Sequence, residues 1–317
     1  MSKSIKNLKS KKIFLAGHKG HVGRAIFKKL KQQGYKKIIT VSKKNLDLTN
    51  QNQVFKFLKK NKPFYVIIAA ARVGGILANN KYRAEFIYQN LAIQNNLIHG
   101  SYISGVKNLI FLGSSCIYPK LCKQPQKESY LLDGKLEKTN EPYALAKITG
   151  VKMCENYNIQ YKTNYLSLMP TNSYGYGDSY DLSKCHFFSA LIKKIYIAKI
   201  KNKKSISLLG TGKAKRELVF VDDIADAVLY FMKKKTRENL INIGTGKELT
   251  IKQYAEFIMK RLGLNLQIKF DRKYPDGTPR KVLDTSLAKK YGWVAKTDLK
   301  NGFDKTYKEF IEKKLYL

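Results

Sequence analysis

Residues 12–23 read KIFLAGHKGHVG, a short apolar segment followed by glycines at positions 17, 20 and 23. An amphipathic pattern typical of a helix then runs through residues 21–33, so the glycines lie between a predicted strand and a predicted helix. This spacing lets the chain turn tightly, approach a diphosphate and pack the helix on the sheet, while the helix N-terminus faces the anion. The segment therefore predicts a dinucleotide-binding βαβ unit.

The sequence that follows repeats this alternation of strand and helix. Segments rich in β-branched or aromatic residues read KIITVS, YVIIAAA and NLIFLGSS, and helical patterns occupy residues 50–60, 88–104 and 144–157. Short apolar strands separated by helices are typical of a parallel sheet that is buried on both faces. We therefore predict an α/β fold with a doubly wound parallel sheet of the Rossmann type.

The regular alternation of strand and helix patterns ends after Met169. A Gly/Tyr/Asp/Ser-rich stretch (TNSYGYGDSYDLSK) follows, and then come a predicted helix rich in Ile, Tyr and Lys and a GTGKAKR loop. A strand-then-helix pattern returns at LVFVDDIADAVLYFM. We expect residues 1–170 to form the nucleotide-binding Rossmann domain, with residues 218–240 returning to it. Residues 171–217 and 241–317 are expected to form a smaller, mixed α/β substrate-binding lobe at the C-terminal end.

Composition restricts the class of partner. Apolar residues make up 44% of the 317 residues and charged residues 26%, as in globular proteins, which excludes a disordered or fibrous chain. The net charge of +38 would by itself indicate nucleic acid, but only 8 of the 61 basic residues are arginine and the 53 lysines are dispersed. Base recognition favours arginine. We therefore predict no specific nucleic-acid partner and a surface that favours anionic small molecules.

The cysteines and the apolar segments indicate the compartment. The four cysteines show neither the spacing of a metal site nor the density of a disulfide scaffold: Cys116, Cys122, Cys154 and Cys185. Reduced thiols, no metal and a cytoplasmic location are expected. The basic start, MSKSIKNLKSKK, lacks the apolar region of a signal peptide. The longest apolar stretch, residues 66–76, is interrupted by Arg72 and is too short to cross a bilayer, so we predict no membrane association.

The residues after the second predicted strand indicate which dinucleotide binds. An NAD site usually carries an acidic residue there, whereas this chain has Val41-Ser42-Lys43-Lys44. A 2′-phosphate would be attracted to these lysines and to Lys19 in the glycine loop. The alternative is that they are ordinary surface lysines. We predict NADP(H) as the cofactor.

A tyrosine and a lysine four residues apart suggest acid–base chemistry. Tyr143 and Lys147 begin a predicted helix and share one of its faces. A lysine one turn away is expected to lower the pKa of the phenol. Ser114 follows an apolar strand, where its hydroxyl would face the ligand crevice and hold the substrate oxygen that the tyrosine protonates. The bare YxxxK pattern is common by chance, so the position of Ser114 carries the interpretation.

The glycine pattern, the serine and the YxxxK pair together resemble the extended short-chain dehydrogenase/reductase class. The segments AAARVGGILANN, FIYQN, FLGSSCIYPK, TNEPYALAK, SLMPTNSYG, KRELVFVDDIADA and PDGTPRK are similar, in this order, to the GDP-L-fucose synthase family. The resemblance covers nearly the whole chain. It implies conversion of GDP-4-keto-6-deoxy-D-mannose to GDP-L-fucose by an NADPH-dependent enzyme, and a homodimer formed through helices at residues 88–104 and 144–157.

The resemblance also assigns residues. The catalytic residues that it implies are Ser114, Tyr143, Lys147, Cys116 and His186. Cofactor binding is expected at Gly17, Lys19, Gly20, His21, Val22, Gly23, Lys43, Lys44, Asp47, Ala70, Ala71, Tyr143 and Lys147, with Asp47 placed at the adenine end by family analogy. Substrate binding is expected at Asn172, Lys194, Leu209, Arg216, Arg280 and Lys281.

Chemistry explains why such an enzyme needs these groups. The C4 ketone acidifies the protons at C3 and C5, so each centre can be inverted if a base removes the proton and an acid returns one to the opposite face. A cysteine is a suitable base and a cationic histidine a suitable acid. Hydride then adds to C4 while Tyr143 donates the proton, and the fixed cations hold the diphosphate.

The sequence is also compatible with three other functions. The family has a tryptophan just before the GxG of the substrate loop, where this chain has Leu209. A reductase of a related GDP-4-keto sugar, for example a deoxyheptose, would need partial or no epimerisation. An NAD-dependent nucleotide-sugar 4-epimerase would show no net oxidation. A binding protein without turnover is disfavoured by the complete set of Ser114, Tyr143 and Lys147.

Overall fold

The computed structural model describes residues 8–182, 185–274 and 276–316. Residues 1–7 of the predicted first domain and Pro275, which begins the PDGTPRK segment, lie outside the described residues. The strands are β1 Ile13–Ala16, β2 Ile38–Ile39, β3 Tyr65–Ile68, β4 Asn108–Leu112, β5 Asn164–Pro170, β6 Asn172–Tyr174, β7 Ser205–Leu209, β8 Lys215–Phe220, β9 Leu240–Ile243, β10 Glu248–Thr250, β11 Gln267–Asp271 and β12 Arg280–Lys281.

The helices lie between these strands. They are α1 His21–Gln32, α2 Gln51–Asn61, α3 Ile76–Lys81, α4 Arg83–Ile103, α5 Glu141–Tyr161, α6 Phe187–Ile200, α7 Val221–Phe231, α8 Ile251–Arg261, α9 Ser286–Lys290 and α10 Leu299–Glu312. Within the described ranges, none of them combines the length and apolar character that crossing a membrane requires.

The largest sheet is parallel and has the strand order β2-β1-β3-β4-β5-β9. The chain passes from β1 outward to β2 and then crosses back to β3 on the other side of β1, so the direction of winding reverses between β1 and β3. In doubly wound sheets, ligands bind outside the carboxyl ends of the strands at this point. The predicted α/β fold is confirmed.

Side chains of β1 alternate between two separate cores. Ile13 and Leu15 pack in a cluster with residues of α1 and α7, whereas Phe14 and Ala16 pack in a second cluster with residues of α2, α4 and α5. All four are nearly inaccessible to solvent. Because successive side chains of a strand point to opposite faces, helices on both sides bury this strand completely.

Two smaller sheets complete the fold. In one, β8 pairs with β10, β12 and β6, and in the other β7 pairs with β11. The sequence predicts that residues 218–240 return to the Rossmann domain. Helix α7 does pack on α1, with an ion pair of 3.2 Å between Lys29 and Asp226, but β8 lies in a smaller sheet and β9 supplies the sixth strand of the large one. The division into two domains stays a prediction.

Candidate active site

The glycine loop is closely packed at the reversal of the large sheet. Gly17 follows β1 with a φ of +87°, and a Cβ there would lie 2.6 Å from the backbone nitrogen of Ala70, just beyond β3. A Cβ on Gly23, in the first turn of α1, would lie 2.0 Å from the carbonyl oxygen of Gly17. Glycine alone fits both positions, and the loop thereby fixes α1 against the ends of β1 and β3.

The N-terminus of α1 fits an anionic cofactor. Gly20 is the residue before the helix and provides no side chain to cap the first N–H groups. Gly20, His21 and Val22 line a cleft, so these N–H groups and the positive end of the helix dipole are available to a bound anion. The buried Nε2 atom of His21 also lacks a hydrogen-bond partner in the structure. The backbone N–H groups of this turn would act as donors to a dinucleotide diphosphate.

The predicted adenine end lies along the same edge of the sheet. Because β2 runs parallel to β1, residues 43 and 44 emerge beside the glycine loop, and Lys19, Lys43 and Lys44 are exposed. The carboxylate of Asp47 accepts hydrogen bonds from the backbone nitrogen and hydroxyl of Thr49, at 2.9 and 2.8 Å, which lower its pKa. Asp47 thus stabilises a local turn, and its contact with adenine stays a prediction.

The predicted serine and lysine meet at the end of β4. Ser114 is extended, and its Oγ accepts a hydrogen bond from the backbone nitrogen of Cys116 at 3.4 Å. The buried Lys147 donates from Nζ to the carbonyl oxygen of Leu112 at 2.8 Å, which ties α5 to this strand. The Nζ atom lies 5.7 Å from the centre of the Tyr143 ring. The shared helix face expected from the spacing therefore forms.

The expected pKa of Tyr143 is wrong in direction. Burial raises the pKa of this phenol, and the negative charge of a Cys116 thiolate raises it further. Burial also lowers the pKa of Lys147 to about 8. The lysine does not offset the desolvation of the tyrosine because Lys147 is itself buried and its ammonium is bonded to a carbonyl. Tyr143 is therefore protonated at neutral pH, as a proton donor must be.

The predicted proton-transfer pair borders the same cleft. Cys116 is half-buried in the turn after Ser114, and its charge affects the pKa values of Lys147 and Lys281, which places it within electrostatic reach of both. His186 immediately precedes α6, and its carbonyl oxygen accepts a hydrogen bond from Ala190 at 3.0 Å. The first turn of α6 thus holds the histidine at the border of the cleft.

The cleft has a volume of about 550 Å³ and gathers most of the predicted site. The predicted residues that line it are Gly20, His21, Val22, Ala71, Ser114, Cys116, Tyr143, Lys147, Asn172, His186, Lys194, Leu209, Arg216 and Lys281. The predicted residues outside its lining are Gly17, Lys19, Gly23, Lys43, Lys44, Asp47, Ala70 and Arg280. In the part of the chain that the structure describes, no cluster of three or more His, Cys, Asp or Glu side chains is placed to hold a metal ion.

The structure separates the two adjacent cations that the sequence predicts as a pair. β12 runs parallel to β8 with Lys281 opposite Arg216, and both residues line the cleft. Arg280 points away, and its Nε donates to both carboxylate oxygens of Glu248, at 2.7 and 3.0 Å. Alternation along a strand explains this, because neighbouring residues face opposite sides. The structure therefore places Lys281 and Arg216 on the cleft and Arg280 outside its lining, and substrate binding by these residues stays a prediction.

The remaining predicted substrate residues surround the outer part of the cleft. Lys194 donates from Nζ to the carbonyl oxygen of Ser207 at 3.0 Å, and burial lowers its pKa. Leu209 ends β7 with 46% of its surface exposed. Asn172 begins β6, where its side chain donates to the carbonyl oxygen of Glu217 at 3.0 Å. These residues border the cleft, and their contacts with a sugar stay predictions.

Comparison with known proteins identifies the family. The model of the family described as "NAD dependent epimerase/dehydratase family" matches residues 13–244. The chain belongs to this family. The match covers the large sheet, the glycine loop, and Ser114, Tyr143 and Lys147.

Individual proteins similar to this chain include GDP-sugar synthases and reductases. A GDP-L-fucose synthase of Sinorhizobium fredii is 47% identical over 304 residues, covering 96% of each chain. A solved GDP-6-OMe-4-keto-L-xylo-heptose reductase from C. jejuni is 35% identical with a TM-score of 0.89, covering 96% of this chain and 99% of that one. A GDP-mannoheptose C4 reductase from Campylobacter jejuni with NADP bound is 36% identical with a TM-score of 0.86, at the same coverage.

Two acidic residues of the site, Asp276 and Glu137, were missing from the sequence prediction. The carboxylate of Asp276 accepts from the backbone nitrogen and hydroxyl of Thr211, at 2.7 and 2.6 Å, and its carbonyl accepts from Arg216 at 3.1 Å. Glu137 accepts from the backbone nitrogen of Asn140 at 3.1 Å, just before α5. Asp276 lies in a PDG segment, which predicts a turn but does not predict that Asp276 bonds to Thr211. The position of Glu137 before a helix was the only available signal for that residue.

Proposed function

We propose that this chain converts GDP-4-keto-6-deoxy-D-mannose to GDP-L-fucose by epimerisation at C3 and C5 followed by NADPH-dependent reduction at C4. One observation carries the proposal: Cys116 and His186 line the same cleft as Ser114, Tyr143 and Lys147. A 4-reductase needs only the last three residues. A cysteine and a histidine beside them supply the base and the acid that inversion of a carbon next to the ketone requires.

In the epimerisation steps, the proton moves between carbon and two side chains. Cys116, as thiolate, removes the proton from C3 or C5, and the electron pair moves onto the C4 oxygen as an enolate. Ser114 and Tyr143 donate hydrogen bonds to this oxygen and stabilise its charge. His186 returns a proton to the opposite face of the carbon, which reforms the ketone with inverted configuration.

In the reduction step, Tyr143 gives its proton to the C4 oxygen. NADPH supplies the hydride when it is bound. The raised pKa of Tyr143 keeps the proton on the phenol until charge develops on the substrate oxygen. Lys147, held on the carbonyl of Leu112, places a positive charge next to the phenolate that remains. Proton release and carbonyl reduction are thus coupled at one side chain.

The cofactor assignment rests on charge at the end of β2. Lys43 and Lys44 stand where a 2′-hydroxyl-binding acid would otherwise stand, and both are exposed to a phosphate. The similar GDP-mannoheptose C4 reductase of Campylobacter jejuni carries bound NADP. These points favour NADP(H) over NAD, and with it net reduction over the cofactor-retaining chemistry of a 4-epimerase.

The second candidate is a 4-reductase of a related GDP-4-keto sugar, such as a deoxyheptose. It is favoured by the similarity to two Campylobacter heptose reductases and by the exposed Leu209 at the rim of the cleft. The higher identity to the Sinorhizobium GDP-L-fucose synthase favours the first candidate. Both candidates share the reaction at C4 and differ in proton exchange at C3 and C5.

Deuterium incorporation separates the two candidates. The protein is mixed with GDP-4-keto-6-deoxy-D-mannose and NADPH in deuterated water, and the absorbance of NADPH and the NMR spectrum of the product are followed. Oxidation with deuterium at both C3 and C5 is expected. Oxidation without deuterium would contradict epimerisation and leave a reductase. Cofactor binding without oxidation would refute this substrate and direct attention to the loop at Leu209.

We also propose a homodimer in the cytoplasm. Helices α4 and α5 pack together, with Gln94 donating to the carbonyl of Ala146 at 2.5 Å, and large apolar side chains stay exposed on them, including Tyr88 at 70% and Ile159 at 62%. A second copy would cover such a surface. Ile159→Asp should therefore yield a monomer in light scattering, whereas Ile200→Asp, an exposed position on α6, should not. A wild-type monomer would contradict the proposal.

A further inference from the structure

His21 lies at the junction of the glycine loop and the substrate segment. It is the first residue of α1, and its Nδ1 lies 3.0 Å from the carbonyl oxygen of Tyr176. A carbonyl can only accept a hydrogen bond, so Nδ1 carries the hydrogen. In a neutral imidazole with this tautomer, Nε2 holds a lone pair and accepts hydrogen bonds.

The Nε2 atom of His21 is buried at the border of the cleft, and the structure gives it no hydrogen-bond partner. The neighbouring carboxylates are already engaged. Asp178 accepts from the hydroxyl of Ser189 and the backbone nitrogen of Ser179, and Glu309 accepts from the backbone nitrogen of Gly177 and from the Lys313 ammonium. The ring nitrogen is therefore left for a group that enters the cleft.

The lone pair conflicts with the cofactor diphosphate expected at this helix end. The N–H groups of the first turn attract an anion, whereas an unprotonated Nε2 would place an electron pair beside the same oxygens. A proton on Nε2 removes the conflict, because the ring then donates from both nitrogens and carries a positive charge. No other step of the proposed mechanism uses His21.

We propose that Nε2 of His21 takes up one proton from solvent when the dinucleotide diphosphate binds, so that an imidazolium bridges Tyr176 and the cofactor and cofactor affinity depends on pH. This inference rests on the proposed function for its ligand. His21 acts in binding and does not contact the reacting atoms. The bound diphosphate supplies the charge that stabilises the imidazolium.

The surroundings of His21 fix the direction of the effect. Before the cofactor binds, burial lowers the pKa of His21, and the charge of His186 before α6 lowers it further. The carboxylates of Asp178, after β6, and Glu309, on α10, oppose this shift. On the same helix, Arg24 donates to the carbonyl oxygen of Lys19 at 2.7 Å. Binding of the diphosphate raises the pKa of His21, so affinity is highest below the pKa of the free protein. Cofactor affinity falls about tenfold per pH unit between the pKa of His21 in the free protein and its higher pKa in the complex. Above the pKa in the complex, the affinity is constant.

NMR can test this at the single residue, because the chain has only four histidines. The imidazole Cε1–H signals of the full chain are titrated with and without NADP⁺, and His21→Gln assigns the signal of interest. His18→Gln is the matched control, since His18 lies in the same loop with its ring 6.5 Å from that of Phe27. Calorimetry then measures the affinity of each variant for NADP⁺ across the same pH range.

The expected result is a His21 signal that titrates at higher pH in the complex, with a pH-dependent affinity that His21→Gln flattens and His18→Gln retains. A His21 signal that shows the ring still neutral in the complex, or a pH dependence of affinity that His21→Gln leaves unchanged, would overturn the inference. Neither result would contradict the binding of NADP⁺. Absence of any NADP⁺ binding would overturn the proposed function as well. Signals from the complex thus distinguish the two failures.

Discussion

Replacing Lys281 by methionine removes one of the cations that line the cleft while preserving most of the side-chain volume. Lys281 lies half-buried opposite Arg216 in the β8–β12 register, and desolvation lowers its pKa. A hydrogen bond to a charged group contributes about 1.5–3 kcal/mol. At about 1.4 kcal/mol per factor of ten, the dissociation constant for GDP should rise by about 10- to 150-fold.

Stability should not follow affinity in this variant. Replacing a partly desolvated charge by an apolar side chain of similar size is often neutral or stabilising, so the melting temperature of Lys281→Met should not fall. Calorimetric titration with GDP measures binding without turnover, and thermal unfolding of the same samples measures stability. A large loss of affinity with an unchanged melting temperature would assign Lys281 to the diphosphate.

Arg280→Met is the matched control for this experiment. Arg280 has the same charge as Lys281 but pairs with the carboxylate of Glu248. An oxygen of this carboxylate also lies 3.9 Å from the Nζ atom of Lys215. An exposed ion pair contributes about 0–1 kcal/mol, so stability should change little and GDP affinity should stay within about twofold. Equal losses in the two variants would refute the alternation argument, and so would an unchanged affinity in Lys281→Met.

Three further predictions concern the cofactor and the proton donor. Tyr143→Phe, which removes only the hydroxyl, should slow NADPH oxidation by about 100- to 10,000-fold, while deuterium exchange at C3 and C5, measured by NMR, persists at a lower rate because Ser114 still donates to the C4 oxygen; complete loss of exchange would contradict this division of roles. Turnover should fall as pH rises through about 8, because Lys147 is cationic below this pKa and neutral above it; a flat pH profile would contradict this role. Changing Lys43 and Lys44 to serine together should weaken NADP⁺ binding by about 2- to 30-fold and leave NAD⁺ binding unchanged, which calorimetry can measure.

The parts of this fold that depend on local pattern could be predicted from the sequence. The glycine loop is one example, because tight turns and close approach impose glycine at fixed spacing, and Gly17 and Gly23 leave no room for a Cβ. The Tyr143–Lys147 pair is another, since helical periodicity alone places both side chains on one face. Spacing and position along the chain therefore bring these side chains to one cleft, and their catalytic roles stay predictions.

Long-range pairings could not be predicted in the same way. Whether Lys281 or Arg280 faces the cleft depends on a two-residue strand whose partner lies about 65 positions earlier in the chain. The sign of the Tyr143 pKa shift likewise depends on burial, which outweighs the nearby ammonium, and burial is a property of the assembled fold. Sequence spacing reports neighbours along the chain and says little about desolvation.

Glu217 explains how Arg216 and Lys281 keep a fixed position relative to α5. Its carboxylate is inaccessible to solvent and accepts hydrogen bonds from the backbone nitrogens of Thr245 at 2.5 Å, Gly246 at 2.7 Å and Leu283 at 2.8 Å. These donors follow β9 of the large sheet and β12 of the smaller sheet, so one side chain joins the ends of both sheets. In the proposed mechanism, the same sugar ring must reach first Cys116 and then Tyr143. A diphosphate anchor tied to the large sheet keeps the ring in place between these steps, which gives a physical reason for an acidic residue directly after Arg216.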